Sequence, residues 1–116
     1  MRNDKKNVIV ELTFDFSIKS VLFCELLELE RKFVIARQLL KSSTSIGANI
    51  REAQNAESKA DFIHKFKIAA KEIEETIYWL ELCKYSKGYP KTDSLIEQLI
   101  TIARIVNKII ITSKQK

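Results

Sequence analysis

Asp61 stands three residues before His64, the single histidine of this 116-residue chain. A carboxylate and an imidazole at that spacing share one face of a helix. Two such motifs plus two further carboxylates hold a di-iron centre in helical bundles. With no second histidine the set stays incomplete, so no metal is expected and His64 reads as an ordinary surface or partly buried residue. Glu72, Glu74, Glu75 and Glu81 crowd one segment. Paired carboxylates can divide acid and base work, but Lys71 and Lys84 beside them fit a solvated face. Cys24 and Cys83 are the only thiols. A nucleophilic cysteine needs a cationic neighbour that lowers its pKa, and neither has one nearby in sequence, so both read as buried thiols. No catalytic set assembles. The expectation is a protein that is not an enzyme and uses no cofactor.

The stretch SSTSIGANIREAQNAES, residues 42–58, looks first like a loop or a phosphate cradle. One glycine without a lysine–serine tail or a preceding strand is not a phosphate-binding loop. Ile46, Ile50 and Ala53 keep helical spacing with Leu39, and Ser43 and Gly47 fall in phase with Ile50. A solvated loop has no reason to keep that phase, so residues 42–55 read as helix. Glycine in a helix interior costs roughly 1 kcal/mol against alanine. Close packing around Ser43, Gly47 and Ala48 is the expected compensation. Asn49 and Glu52 read as a pair tying this helix to a neighbour.

The elements around it follow the same period. Leu22, Leu26, Leu29, Phe33, Ala36 and Leu40 step alternately by four and three, an apolar seam. Phe62, Phe66, Ala69, Ile73, Thr76, Leu80 and Cys83 form another, and Leu95, Leu99, Ile102, Val106 and Ile109 a third. Ser58 with Asp61, and Ser94 with Glu97, have the spacing of capping boxes, so Ser58 caps the third helix and Asp93 or Ser94 the last. Gly88 and Pro90 end the third helix. A single helix from 16 to 55 would run about 60 Å, so a turn is required, and the charged cluster 28–32 is the best place for it. The spacing thus predicts helices near 16–30, 32–55, 59–87 and 94–113. Residues 1–13 read as an extended arm and 14–114 as one all-α domain, an up-down antiparallel four-helix bundle. The chain has few glycines and one proline, as expected of short loops. No segment has the run of roughly 18 apolar residues that a membrane span needs. Two thiols and no secretory leader point to the cytoplasm.

The last helix carries a second seam, Ile96, Ile100, Ala103, Asn107 and Ile110. Two adjacent seams imply burial over a wide arc. Ile96, Ile100, Ala103 and Ile110, with Trp79 and Leu82 off the main seam of the third helix, are therefore the expected oligomer interface.

Residues 38–83, QLLKSSTSIGANIREAQNAESKADFIHKFKIAAKEIEETIYWLELC, resemble the four-helix bundle proteins encoded by intervening sequences of large-subunit ribosomal RNA. SIGANIREA (45–53), SKADF (58–62) and KEIEETIYWLEL (71–82) carry the resemblance, which runs from about Phe14 to Ile110. It implies an up-down bundle with residues 42–55 inside the second helix, and a homopentamer. A relative in diversity-generating retroelements works with a reverse transcriptase and binds nucleic acid, which makes RNA, DNA or such an enzyme the implied partner.

Charge placement points the same way. Net charge is +5, which permits a polyanionic partner. In an up-down bundle the chain termini and the 55–59 turn share one end. Twelve basic residues and six acidic ones fall there, against eight and nine in the other half. Arg51, Lys59, Lys65, Lys67, Lys71, Arg104 and Lys108 are the expected nucleic-acid contacts. The expected function is a non-enzymatic oligomeric module that binds nucleic acid or a nucleic-acid-processing enzyme through this end. The alternative is a protein–protein assembly module with no such affinity.

Overall fold

The computed structural model describes residues 7–115. They form four helices: α1 (Val8–Leu29), α2 (Phe33–Ala53), α3 (Lys59–Tyr85) and α4 (Asp93–Gln115). Each helix packs on its two neighbours in a closed ring, α1 on α2 and α4, α3 on α2 and α4. This is the expected up-down four-helix bundle.

The extended arm is corrected in part. Residues 8–13 are the first turns of α1, not extended chain, and residues 1–6 lie outside the described residues. Asn7 starts the helix. Its side chain accepts the Val10 N–H at 3.4 Å, and its amide nitrogen donates to Gln54 Oε1 at 2.9 Å. The second contact ties the start of α1 to the end of α2.

The turn between α1 and α2 falls within the 28–32 cluster. Arg31 has φ +65°. Its N–H donates to the Glu28 carbonyl at 2.9 Å, and the Lys32 N–H to the Leu27 carbonyl at 2.8 Å. This pair of bonds with a left-handed residue is a Schellman motif, built here on arginine instead of the usual glycine. Ser58 caps α3: its hydroxyl accepts the Asp61 N–H at 3.0 Å, and Asp61 Oδ2 accepts the Glu57 N–H at 3.2 Å. The α3–α4 connection turns at Gly88, φ +82°. Helix α4 begins at Asp93, so both expected caps, Asp93 and Ser94, lie inside its first turn, and the Ile96 N–H donates to the Thr92 carbonyl.

The core runs the length of the bundle through Phe16, Leu27, Leu39, Ile46, Ile50, Phe66, Ile73, Leu80, Leu99, Ile102 and Val106. The seam expected through Leu22, Leu26, Leu29, Phe33 and Leu40 is not the core; all five are exposed, and only Ala36 of that row is buried. The buried face of α1 carries Ile9, Thr13, Phe16, Ser20, Phe23, Cys24 and Leu27. Apolar residues occupy both faces of α1, and spacing alone picked the outer one.

Residues 42–53 are helical, and their hydroxyls are absorbed locally. Thr44 Oγ1 donates to the Leu40 carbonyl and Ser45 Oγ to the Lys41 carbonyl, each at 2.7 Å. Such bonding to the preceding turn lets serine and threonine sit inside a helix. Ser42, fully buried, meets Thr76 Oγ1 of α3 at 2.9 Å. A Cβ on Gly47 would stand 3.2 Å from Ser17 Oγ and 3.3 Å from the Thr13 carbonyl oxygen. The backbones of α1 and α2 therefore approach closely there.

Candidate nucleic-acid interface

The end of the bundle that gathers the start of α1, the end of α2, the start of α3 and the end of α4 holds Arg51, Lys59, Lys65, Lys67 and Lys108, whereas Lys71 and Arg104 stand near the middle of α3 and α4. Arg51 is exposed on α2, its guanidinium 5.1 Å from the centre of the Phe14 ring. Lys59 opens α3 and is exposed. Lys65 is not available in the way expected: its Nζ lies 2.9 Å from Glu52 Oε1, an ion pair that joins α3 to α2 and raises the lysine pKa. Glu52 thus makes the inter-helix tie foreseen for Asn49 and Glu52, whereas Asn49 donates to the Ser45 carbonyl of its own helix.

Lys67, Lys71, Arg104 and Lys108 are exposed on α3 and α4. Lys67 lies against Lys114 of α4, and the nearby positive charge lowers its pKa. Lys114 was not among the expected contacts. Its place follows from antiparallel pairing, which sets the last turns of α4 beside the first turns of α3. Beside Lys108 a shallow depression of 300 Å³ is lined by Ile109, Thr112 and Ser113. Three acids of this end are engaged. Asp15 accepts from Lys19 and Gln98, which hold its pKa down; Asp61 serves the α3 cap and Glu52 holds Lys65.

The expected oligomer interface divides. Ile96, Ala103 and Ile110 are partly buried against the protomer's own core, as is Trp79, whose Nε1 donates to Glu75 Oε2 at 3.0 Å. Leu82 and Ile100 remain exposed, at 37% and 40%. Of the second seam of α4, Ile96, Ala103 and Ile110 are thus half-buried, and Ile100 and Asn107 are exposed.

The remaining reactive groups are quiet. Both thiols are buried. Burial pushes Cys24 up to about 12, with Cys83 and Glu28 adding to the effect, and pushes Cys83 up to about 11, away from a thiolate at neutral pH. Burial also raises Glu72, with Glu75 adding and Lys41 opposing. His64 is exposed, and its would-be metal partner Asp61 is occupied in the cap. Among the described residues no group of three or more histidine, cysteine or acidic side chains could hold a metal, and no helix is long and apolar enough to cross a membrane. A separate groove of 380 Å³ opens between α1 and α2 over Gly47, lined by Val10, Phe14, Ser17, Thr44, Ala48 and Arg51 among others.

A closed antiparallel ring of four helices with a basic end and a paired-lysine ridge defines a class of bundle protein. Residues 5–108 match the model of the 23S rRNA-intervening sequence protein family, and the chain belongs to that family. It is also similar to the crystal structure of a protein with unknown function from the S23 ribosomal protein family of Bacteroides thetaiotaomicron. The two share 40% identity with a TM-score of 0.84, over 88% of this chain and 97% of that one. No match was found among curated proteins.

Proposed function

We propose that this protein is a non-enzymatic, self-associating bundle that binds nucleic acid through the basic end formed by α3 and α4. The observation that carries the reading is the row of exposed basic side chains on α3 and α4, Lys67, Lys71, Arg104, Lys108 and Lys114, with Lys114 near enough to Lys67 to lower its pKa. Two like charges held together lose energy that an anion restores. A phosphate backbone supplies anions at regular spacing, and each neutralised phosphate releases condensed counterions. Aromatic side chains placed for base stacking are lacking at this ridge, so contact is with the backbone and independent of sequence. Self-association multiplies a weak single-subunit contact.

Anisotropy of labelled single- and double-stranded RNA and DNA tests this at about 50 and 200 mM salt, where the counterion effect is large. Binding should be present at the lower salt and fall by at least tenfold at the higher. Lys67→Glu with Lys108→Glu should abolish most of it and keep the helical circular dichroism spectrum, since neither side chain is buried. No binding to any of the four probes at low salt would overturn the reading and leave the protein–protein assembly module in its place.

A further inference from the structure

The two turns at the far end of the bundle from the basic residues form one surface. The α1–α2 turn brings Leu29, Arg31, Lys32, Phe33 and Val34 there, and the α3–α4 connection brings Tyr85, Lys87, Tyr89 and Lys91. The turns touch: Lys32 Nζ lies 4.8 Å from the centre of the Tyr89 ring. A shallow groove of 270 Å³ between them is lined by Arg31, Lys32, Phe33, Val34, Ile35 and Tyr89. Leu29 and Tyr85, each 81% exposed, and Val34, at 67%, are the most exposed large apolar side chains among the described residues. All three stand at this end, with Phe33 beside them, and none of the four belongs to the core. Chain reversals are ordinarily polar, so apolar side chains crowded on two neighbouring turns mark an interaction site.

We propose that this end of the bundle docks on the surface of a bilayer that contains anionic lipid. Charge points to that partner. Arg31, Lys32, Lys84, Lys87 and Lys91 stand at this end against Glu28, Glu30 and Asp93, and Asp93 Oδ1 is held by Lys84 Nζ at 3.4 Å. The groove has no acid in its lining. An apolar tip framed by lysine, arginine and tyrosine suits the headgroup layer. Leu29, Phe33, Val34 and Tyr85 enter the boundary between headgroups and acyl chains. Tyrosine has an apolar ring and a wet hydroxyl, which favours that depth. Arg31 and Lys32 lay their stems along the apolar residues and carry their charges to the lipid phosphates. Leu29 and Tyr85 lie outside the groove lining, and a fluid layer receives such projecting side chains without a preformed hollow. No part of the chain offers another cover. The six residues ahead of Asn7 start from the opposite end, about 33 Å away along α1. Six residues span at most about 22 Å, so they do not reach the tip. Copies packed side by side through their helices would also leave it open. The contact is peripheral, since among the described residues no helix is long and apolar enough to cross a membrane.

Co-sedimentation of the full chain with vesicles tests the proposal. One set is equal parts phosphatidylcholine and phosphatidylglycerol, and the other is phosphatidylcholine alone. The protein should sediment with the anionic vesicles and bind the neutral ones at least tenfold more weakly, because the basic frame then has no lipid charge to meet. Leu29→Ser with Val34→Ser removes apolar surface at exposed positions. It should lower binding to anionic vesicles at least tenfold with an unchanged circular dichroism spectrum. Lys67→Glu with Lys108→Glu, at the opposite end, should sediment like the parent. A parent that stays in the supernatant with anionic vesicles would overturn the proposal. So would a Leu29→Ser, Val34→Ser protein that sediments like the parent. Loss of vesicle binding on Lys67→Glu with Lys108→Glu would assign the contact to the basic end and overturn the proposal as well.

Discussion

Gly47 shows how one residue constrains two helices. Leucine there would drive a whole side chain into Ser17 and the Thr13 carbonyl, the nearest at 3.2 and 3.3 Å from the position of a Cβ. Overpacking of a tight contact costs typically 1–3 kcal/mol. Gly47→Leu should therefore lower stability by about that amount in urea unfolding, although leucine is the better helix former by several tenths of a kcal/mol. A neutral or stabilising result would mean that α1 and α2 do not approach as closely as described. Gly47→Ala is the finer measure. The Ser17 hydroxyl can turn aside, but the Thr13 carbonyl is fixed in α1, so alanine should recover little of its ~1 kcal/mol propensity advantage. The need for a thin residue was legible from the phase that Ser43, Gly47 and Ile50 keep. What the residue makes room for was not, because that partner lies thirty residues earlier in the chain. The same holds for Lys65: nothing local to it announces Glu52 as its partner across the α2–α3 seam.

At the scale of elements, the four helices were legible from apolar period and caps, and the turn at 28–32 from length alone. No glycine marked that turn because Arg31 takes the left-handed position. A left-handed conformation costs a non-glycine residue roughly 1–2 kcal/mol, and glycine is the usual occupant of this site in the motif. Arg31→Gly should remove that strain at the cost of a more flexible unfolded chain, worth about 0.5–1 kcal/mol. The net effect should be a gain of about 0.5 kcal/mol and a midpoint higher by about 2 °C in a thermal melt. A lower midpoint would show that the Arg31 side chain makes a contribution beyond the turn. The error on α1 has a related origin. Its core face includes Thr13, Ser20 and Cys24, while leucines crowd its outer face, so the more apolar row was the one turned to water. A binary pattern identifies the buried face only when the opposite face is polar. Where both are apolar, the pattern does not choose between them.

For the whole molecule, the two surfaces lie apart and make separable predictions. The basic ridge belongs to α3 and α4, and the apolar tip to the two turns at the far end of the bundle. Lys67→Glu with Lys108→Glu changes the ridge and should leave vesicle binding unaltered. Leu29→Ser with Val34→Ser leaves every ridge lysine in place but should release the protein from vesicles. Nucleic acid and anionic lipid repel each other, so their distance decides whether one protein holds both. A helix of α1's length separates the basic end from the tip by about 33 Å. The Debye length is about 10 Å at 0.1 M salt, so the two anionic partners are screened from each other across the bundle. The parent protein should therefore carry labelled RNA into the pellet with anionic vesicles at about 0.1 M salt, and neither double variant should do so. RNA left in the supernatant by a parent that binds each partner alone would show that the two ends exclude one another. RNA carried down by the Leu29→Ser, Val34→Ser protein would show that the tip is not what holds the vesicle.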